Sequence, residues 1–138
     1  MLFPKKVKYR KWHTMRKNPL KVGVASRGLT VSFGSYGLKS LGSARIRSNQ
    51  LESARKVLSR SVGRTGRLWI RVFPDMPYTS KPAEVKLGKG KGDLQGYATP
   101  VLAGRIIFEV DGVTEDVAKE ALRKAGTKLP VKTRVVAR

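Results

Sequence analysis

Acidic residues are absent from the first 51 positions of the chain; Glu52 is the first, and twelve Lys or Arg precede it. A segment charged with one sign repels itself and works against compaction. Nucleic acid is the leading partner for such a stretch, and an anionic membrane surface comes second. The imbalance holds throughout: 30 Lys plus Arg stand against nine Asp plus Glu, a formal net charge of +21. Yet 40% of the 138 residues are hydrophobic, so the chain is not compositionally disordered and has the length for one modest core. No apolar run approaches the roughly 18 to 20 residues of a membrane span. The N-terminus is basic but lacks the apolar centre of a secretory signal. There is no cysteine, which excludes disulfides, thiol nucleophiles and cysteine-based metal sites.

Residues 1–28 carry nine basic side chains and no acidic one. Pro4, Pro19, Gly23 and Gly28 interrupt any long helix there, so the segment reads as an extended arm that orders against a partner. Tyr9, Trp12 and His13 have the chemistry to stack on bases or sugars. Equally, Leu2, Phe3, Val7, Tyr9 and Trp12 could pin the arm to the protein's own core.

The pattern changes at Leu29. Leu29, Val31 and Phe33 alternate with Thr30 and Ser32, which predicts a strand, and FGSYG at 33–37 predicts a turn before a second extended segment. Ser48 reads as a helix N-cap, with Leu51, Ala54, Leu58 and Val62 on one face and Gly63 or Gly66 at the end. Arg55, Lys56, Arg60 and Arg64 lie largely off that stripe, a basic face that could dock on RNA or on a membrane, though the small stripe suits packing on a sheet better than lipid insertion. RLWIRVFPD, from Arg67, predicts a strand closed by Pro74. Residues 76–93 are rich in Pro and Gly and predict a projecting loop. Residues 94–112 predict two strands joined by a turn at Ala103 and Gly104. Thr114 is the expected cap of a second helix, with Glu115 and Asp116 at its positive end, Val117, Ala118, Ala121, Leu122 and Ala125 facing inward, and Gly126 as its stop. A last strand follows at 129–138. The sum is one α+β domain over 29–138, a mostly antiparallel sheet with two helices, from which the 1–28 arm and the 76–93 loop project.

Within that loop, Gly88, Gly90 and Gly92 alternate with Lys89 and Lys91. Glycine and lysine together suit phosphate binding, so a nucleotide enzyme must be weighed. A phosphate-cradling loop needs a Gly-Lys pair followed by Ser or Thr, placed between a strand and a helix. No Gly-Lys pair here meets that condition, and a strand is expected next. The dinucleotide fingerprint fails at Asp93, where it needs glycine. His13 is the only histidine, and it lies in the arm. Asp111, Glu115 and Asp116 are accounted for by capping at a helix start, and no metal-ligand spacing occurs. Neither catalysis nor a cofactor is expected. The loop reads better as a backbone grip, with glycines allowing close approach and lysines supplying point charges. Such contacts position a nucleic acid without reading its sequence.

Several segments occur in one order: MLFPKKVKYRK, VSFGSYGLKSL, QLESARKVLSR, GRLWIRVFPDMPYTSKPAEVKLGKGKG, and GRIIFEVDGV before AKEALRKAGTKLPVKT. Together they resemble the bacterial-type family of protein sixteen of the large ribosomal subunit, over nearly the whole chain. The resemblance implies a fold of α/β-hammerhead type. It also implies a structural role on large-subunit ribosomal RNA near the aminoacyl-tRNA site, with support for late assembly and tRNA accommodation. The implied partners are that RNA, tRNA and neighbouring large-subunit proteins, with no membrane and no homo-oligomer. The residues expected against ribosomal RNA are Lys5, Lys6, Lys8, Arg10, Lys11, Trp12, His13, Arg16, Lys17, Lys21 and Arg27 in the arm. In the body they are Arg45, Arg47, Arg55, Lys56, Arg60, Arg64, Arg67, Arg71, Lys132 and Arg134. Lys81, Lys86, Gly88, Lys89, Gly90, Lys91 and Gly92 are expected near tRNA. Lys86 departs from the arginine common in the family, which is hydroxylated in some members, and exchanges a bidentate fork for a point charge. The match weakens from Trp12 to Arg27 and again at GSARIRSNQ, where Ser48 replaces the usual threonine. Family-like sequence begins at Met1, so a bacterial or organelle-encoded ribosome is the expected location. A nucleic-acid-condensing protein is the alternative from composition alone, though it would favour repeats, and none is present.

Overall fold

The computed structural model describes residues 1–14, 18 and 21–138. Seven strands and two helices follow in the order β1 (Tyr36–Ser40), β2 (Ala44–Arg47), α1 (Ser48–Val62), β3 (Arg67–Ile70), β4 (Met76–Ser80), β5 (Asp93–Val101), β6 (Ile106–Asp111), α2 (Glu115–Gly126) and β7 (Thr133–Ala137). The expected α+β class holds, but the strands form two antiparallel sheets: a larger one ordered β3-β6-β1-β7 and a smaller one ordered β2-β5-β4. The turn at Ala103 and Gly104 is present. It carries the chain from β5 in the smaller sheet to β6 in the larger, and Gly104 supplies its left-handed residue at φ 96°.

The helices form where the apolar spacing predicts. Leu51, Ala54, Leu58 and Val62 recur three or four residues apart on α1, and all are buried. Ala118, Ala121, Leu122 and Ala125 do the same on α2. The two stripes pack on each other and on one face of the larger sheet, around Leu38, Phe108 and Val110. Truncating Leu58 or Leu122 to alanine there costs about 2–5 kcal/mol.

Five expectations need correction. Residues 29–33 are not a strand, because the backbone N–H groups of Ser32, Phe33 and Gly34 donate to the Glu109 carboxylate rather than to a neighbouring strand. The segment instead crosses the larger sheet as a strap, with Val31 seated over Gly37. The loop expected from residue 76 begins later. Met76 to Ser80 is strand β4, paired with β5, and Met76 and Pro77 are buried. Arg47, not Ser48, is the N-cap of α1, where the Arg47 N–H donates to Gln50 Oε1 at 2.9 Å. Val117 points outward at 41% exposure, since it falls between Asp116 and the buried stripe. Gly126 does not stop α2 by a left-handed turn. It is the last helical residue, Thr127 caps the helix, and a Cβ at 126 would strike Thr133 Oγ1.

Candidate nucleic-acid interface

Each sheet turns one face away from the core, and the cations stand there. On β2, Arg45 and Arg47 alternate outward around the fully buried Ile46. Arg47 lies over the Tyr78 ring of β4, 4.9 Å from its centroid. The described part of the arm runs beside this smaller sheet. Phe3 meets Tyr97 at 6.0 Å between centroids, Arg45 donates to the Thr14 carbonyl at 3.0 Å, and Lys91 Nζ donates to the Trp12 carbonyl. Lys11 pairs with Asp93 at 3.6 Å. Trp12, His13, Arg45, Tyr78 and Lys91 line a cleft of about 490 Å³ between arm and sheet. The arm is thus in contact with the body through Phe3 and Trp12, and it still exposes Lys5, Lys6, Lys8, Arg10, His13, Lys21 and Arg27. Arg16 and Lys17 lie outside the described residues.

The Gly/Lys loop follows β4. Gly88, Lys89 and Gly90 take φ values of 98°, 52° and 100°, three left-handed residues in a row. Nothing lies within 4 Å of the Cβ positions of Gly88 and Gly90, so their backbone is open to a partner. Gly92 differs: a Cβ there would meet the Ser80 carbonyl oxygen at 2.5 Å, which makes it a close-packing glycine at the loop's base. Lys81 Nζ donates to the Gly88 carbonyl, and Lys86 and Lys89 remain exposed.

The larger sheet's open face is also basic. Residues opposite one another in an antiparallel pair share a face. Gly37 is opposite Glu109 and Val136, Trp69 is opposite Glu109, and Lys39 is opposite Arg134. Lys39, Arg67, Trp69, Arg71 and Arg134 therefore share the face that bears Glu109. Glu109 is fully buried beneath the strap. Burial pushes its carboxyl up, but the N–H groups of Gly34, Phe33 and Ser32 and the Arg71 guanidinium outweigh that and hold it below the ordinary carboxylate range. Asp111 is also held low, first by the Ser35 hydroxyl, which donates to it at 2.6 Å.

Arg71 and Arg55, both expected against RNA, are each matched by an acid of the chain. Arg71 pairs with Glu109, and Arg55 donates twice to Glu52 at 2.9 and 2.7 Å. Lys56, Arg60 and Arg64 are exposed along and after α1, Arg67 on β3, and Lys132 and Arg134 at β7. The sequence-derived cations are spread over three surfaces: the smaller sheet with arm and loop, the larger sheet's open face, and the outer side of α1. Lys39 and Trp69 were not singled out because only strand register reveals which face they occupy, and Phe33 because its place on the strap is set by hydrogen bonds to the distant Glu109. By contrast, α2 is charge-balanced, with Glu115 paired to Lys119 and Glu120 to Lys124 and Arg123.

Among the described residues no cluster of three or more His, Cys, Asp or Glu is placed to hold a metal ion, and no helix is long and apolar enough to cross a membrane.

The profile of the family described as ribosomal protein L16p/L10e matches residues 4–136. Proteins named large ribosomal subunit protein uL16 from Afipia carboxidovorans and Rhodopseudomonas palustris are each 52% identical to the chain over 138 residues, covering all of it and 98% of their own length. The protein of that name from Caulobacter vibrioides is 51% identical over the same span, with 94% of its length covered. With the family profile spanning both helices, six strands and β7 up to Val136, the chain belongs to the ribosomal protein L16p/L10e family, whose members are structural rather than catalytic.

Proposed function

We propose that this chain is a structural constituent of the large ribosomal subunit. In this reading it binds large-subunit ribosomal RNA near the aminoacyl-tRNA site, supports subunit assembly and helps to position tRNA. The observation that carries the reading is the partition of charge. Of the nine acids, Glu109 is buried, Glu52 and Asp93 are ion-paired, Asp111 accepts from Ser35 and three lie on α2, which leaves Asp75 and Glu84 exposed, whereas exposed cations occupy the arm, the Gly/Lys loop, α1 and both outer sheet faces. Affinity then comes from phosphate neutralisation, and specificity from the shape of folded RNA. The arm, from Lys5 to Arg27, would thread among RNA helices. The loop, through Lys81, Lys86, Lys89 and Lys91, would reach toward tRNA. Neighbouring large-subunit proteins are further partners, and the bacterial relatives support a place on a bacterial cytoplasmic ribosome.

Sedimentation of tagged protein from its native cells through a sucrose gradient at high salt tests the reading. Retention with the large subunit is the expected outcome. Release to the free fractions, or migration with chromosomal DNA, would leave a generic polyanion clamp in its place.

A further inference from the structure

Phe33 stands 58% exposed on the strap that crosses the larger sheet. Its backbone is nonetheless pinned. The Phe33 N–H donates to Glu109 Oε2 at 2.6 Å, and the Gly34 N–H donates to the same oxygen at 2.9 Å. Gly34 lies so close to β6 that an added Cβ would meet the Val110 carbonyl oxygen at 2.6 Å. The ring is near-parallel to Trp69, at 6.3 Å between centroids and 20° between planes, and the Arg71 guanidinium lies 4.9 Å from its centroid. Burying a carboxylate is costly unless it is fully paired. Here the pairing holds in place a ring that the core does not use.

Such a ring, rigid before any partner arrives, binds with little ordering cost. Its surroundings narrow the partner. Lys39, Arg67 and Arg134 share this face, and the two acids on it, Glu109 and Asp111, are already engaged. An apolar protein side chain would match the ring but not the cations. A flat base on a polyanionic strand matches both, since bases stack on aromatic rings while cations hold the flanking phosphates.

We propose that Phe33, backed by Trp69, is a stacking platform for an unpaired RNA base. The proposal rests on the RNA-binding reading above and adds to it a defined contact outside the arm and the Gly/Lys loop. Stacking of this kind tolerates any base, so the platform orients an RNA strand rather than reading its sequence.

The test uses the full chain with Trp12→Phe, which leaves Trp69 as its one tryptophan. It is titrated with a short single-stranded oligoadenylate and with an abasic strand of the same length. Oligoadenylate is expected to bind more tightly and to quench Trp69 emission, while the abasic strand leaves the emission unchanged. Phe33→Ala is expected to lose on the order of tenfold in affinity for oligoadenylate and none for the abasic strand. Phe33→Tyr keeps the ring and should bind as the parent does. Phe33→Leu keeps the bulk without a π face and should behave as alanine does, which separates stacking from any effect on folding. Equal binding of both strands, or undiminished oligoadenylate binding by Phe33→Ala and Phe33→Leu, overturns the platform while salt-sensitive binding keeps the RNA reading. Failure of both strands to bind sinks the two together.

Discussion

Through one carboxylate, Glu109 ties the strap, β6 and Arg71 together. Glu109→Gln keeps the size but leaves Arg71 without its counter-charge and weakens the acceptor for the strap's N–H groups. Removing one partner of a buried pair costs about 3–5 kcal/mol, and Arg71 retains some solvent access, so a loss of about 3 kcal/mol is expected by denaturant unfolding at neutral pH. The pH dependence has a definite sign. The folded carboxyl is held below the ordinary value of 4.5, so its stabilising contribution is present above that value and is lost as pH falls through the lower folded value. The parent should therefore lose stability over that acid range, and Glu109→Gln should lose less there. Equal acid sensitivity of the two proteins would mean that the carboxylate is not charged in the folded state.

At the scale of elements, the junction of α2 with β7 is set by one missing methyl. A Cβ at Gly126 would collide with Thr133 Oγ1. Gly126→Ala should therefore destabilise by about 1–3 kcal/mol despite alanine's better helix propensity, and adding Thr133→Ala should recover much of the loss in a double-mutant cycle. Additive losses would rule the collision out. Neutralising Lys86, Lys89 and Lys91 together should instead leave thermal stability within a few degrees, since these side chains are solvent-exposed, while weakening tRNA-dependent steps on reconstituted subunits. A large drop in the melting temperature would make the loop a folding element rather than a contact. The helices were legible because their apolar spacing is local. The strap was not, because its N–H groups are satisfied by a side chain more than 70 residues away. β4 was hidden by Pro77 and by the turn-forming residues around it, although Pro77 is buried against the body. The second sheet was hidden because strand partners far apart in sequence leave no local pattern. For the interface, the arm and loop cations could be read from composition. Trp69 and Lys39 required the register of β1, β3, β6 and β7, and Phe33 required the strap's hydrogen bonds to Glu109.

For the whole molecule, the distribution of charge matters more than its sum. Six Lys or Arg form ion pairs with acids of the same chain, out of 30 in the sequence, so most of the positive charge has no internal counterpart among the described residues. Lys119, Arg123 and Lys124 account for half of those pairs, and all three are on α2. Glu115 raises the affinity of Lys119 for its proton, and Lys124 lowers that of Glu120, which marks α2 as a face whose charges already answer one another. Counterion release gives each neutralised phosphate a slope of roughly −0.7 to −0.9 in log affinity against log salt. If the basic faces meet RNA and α2 does not, then Lys132→Gln and Arg134→Gln should each flatten that slope by about one contact on a large-subunit ribosomal RNA fragment. Lys119→Gln and Lys124→Gln should leave it unchanged, although they remove the same formal charge. Net charge alone would require all four substitutions to act alike. A uniform effect would therefore make the protein a diffuse polycation, whereas a divided one would assign the RNA to the sheet faces and turn α2 away from it.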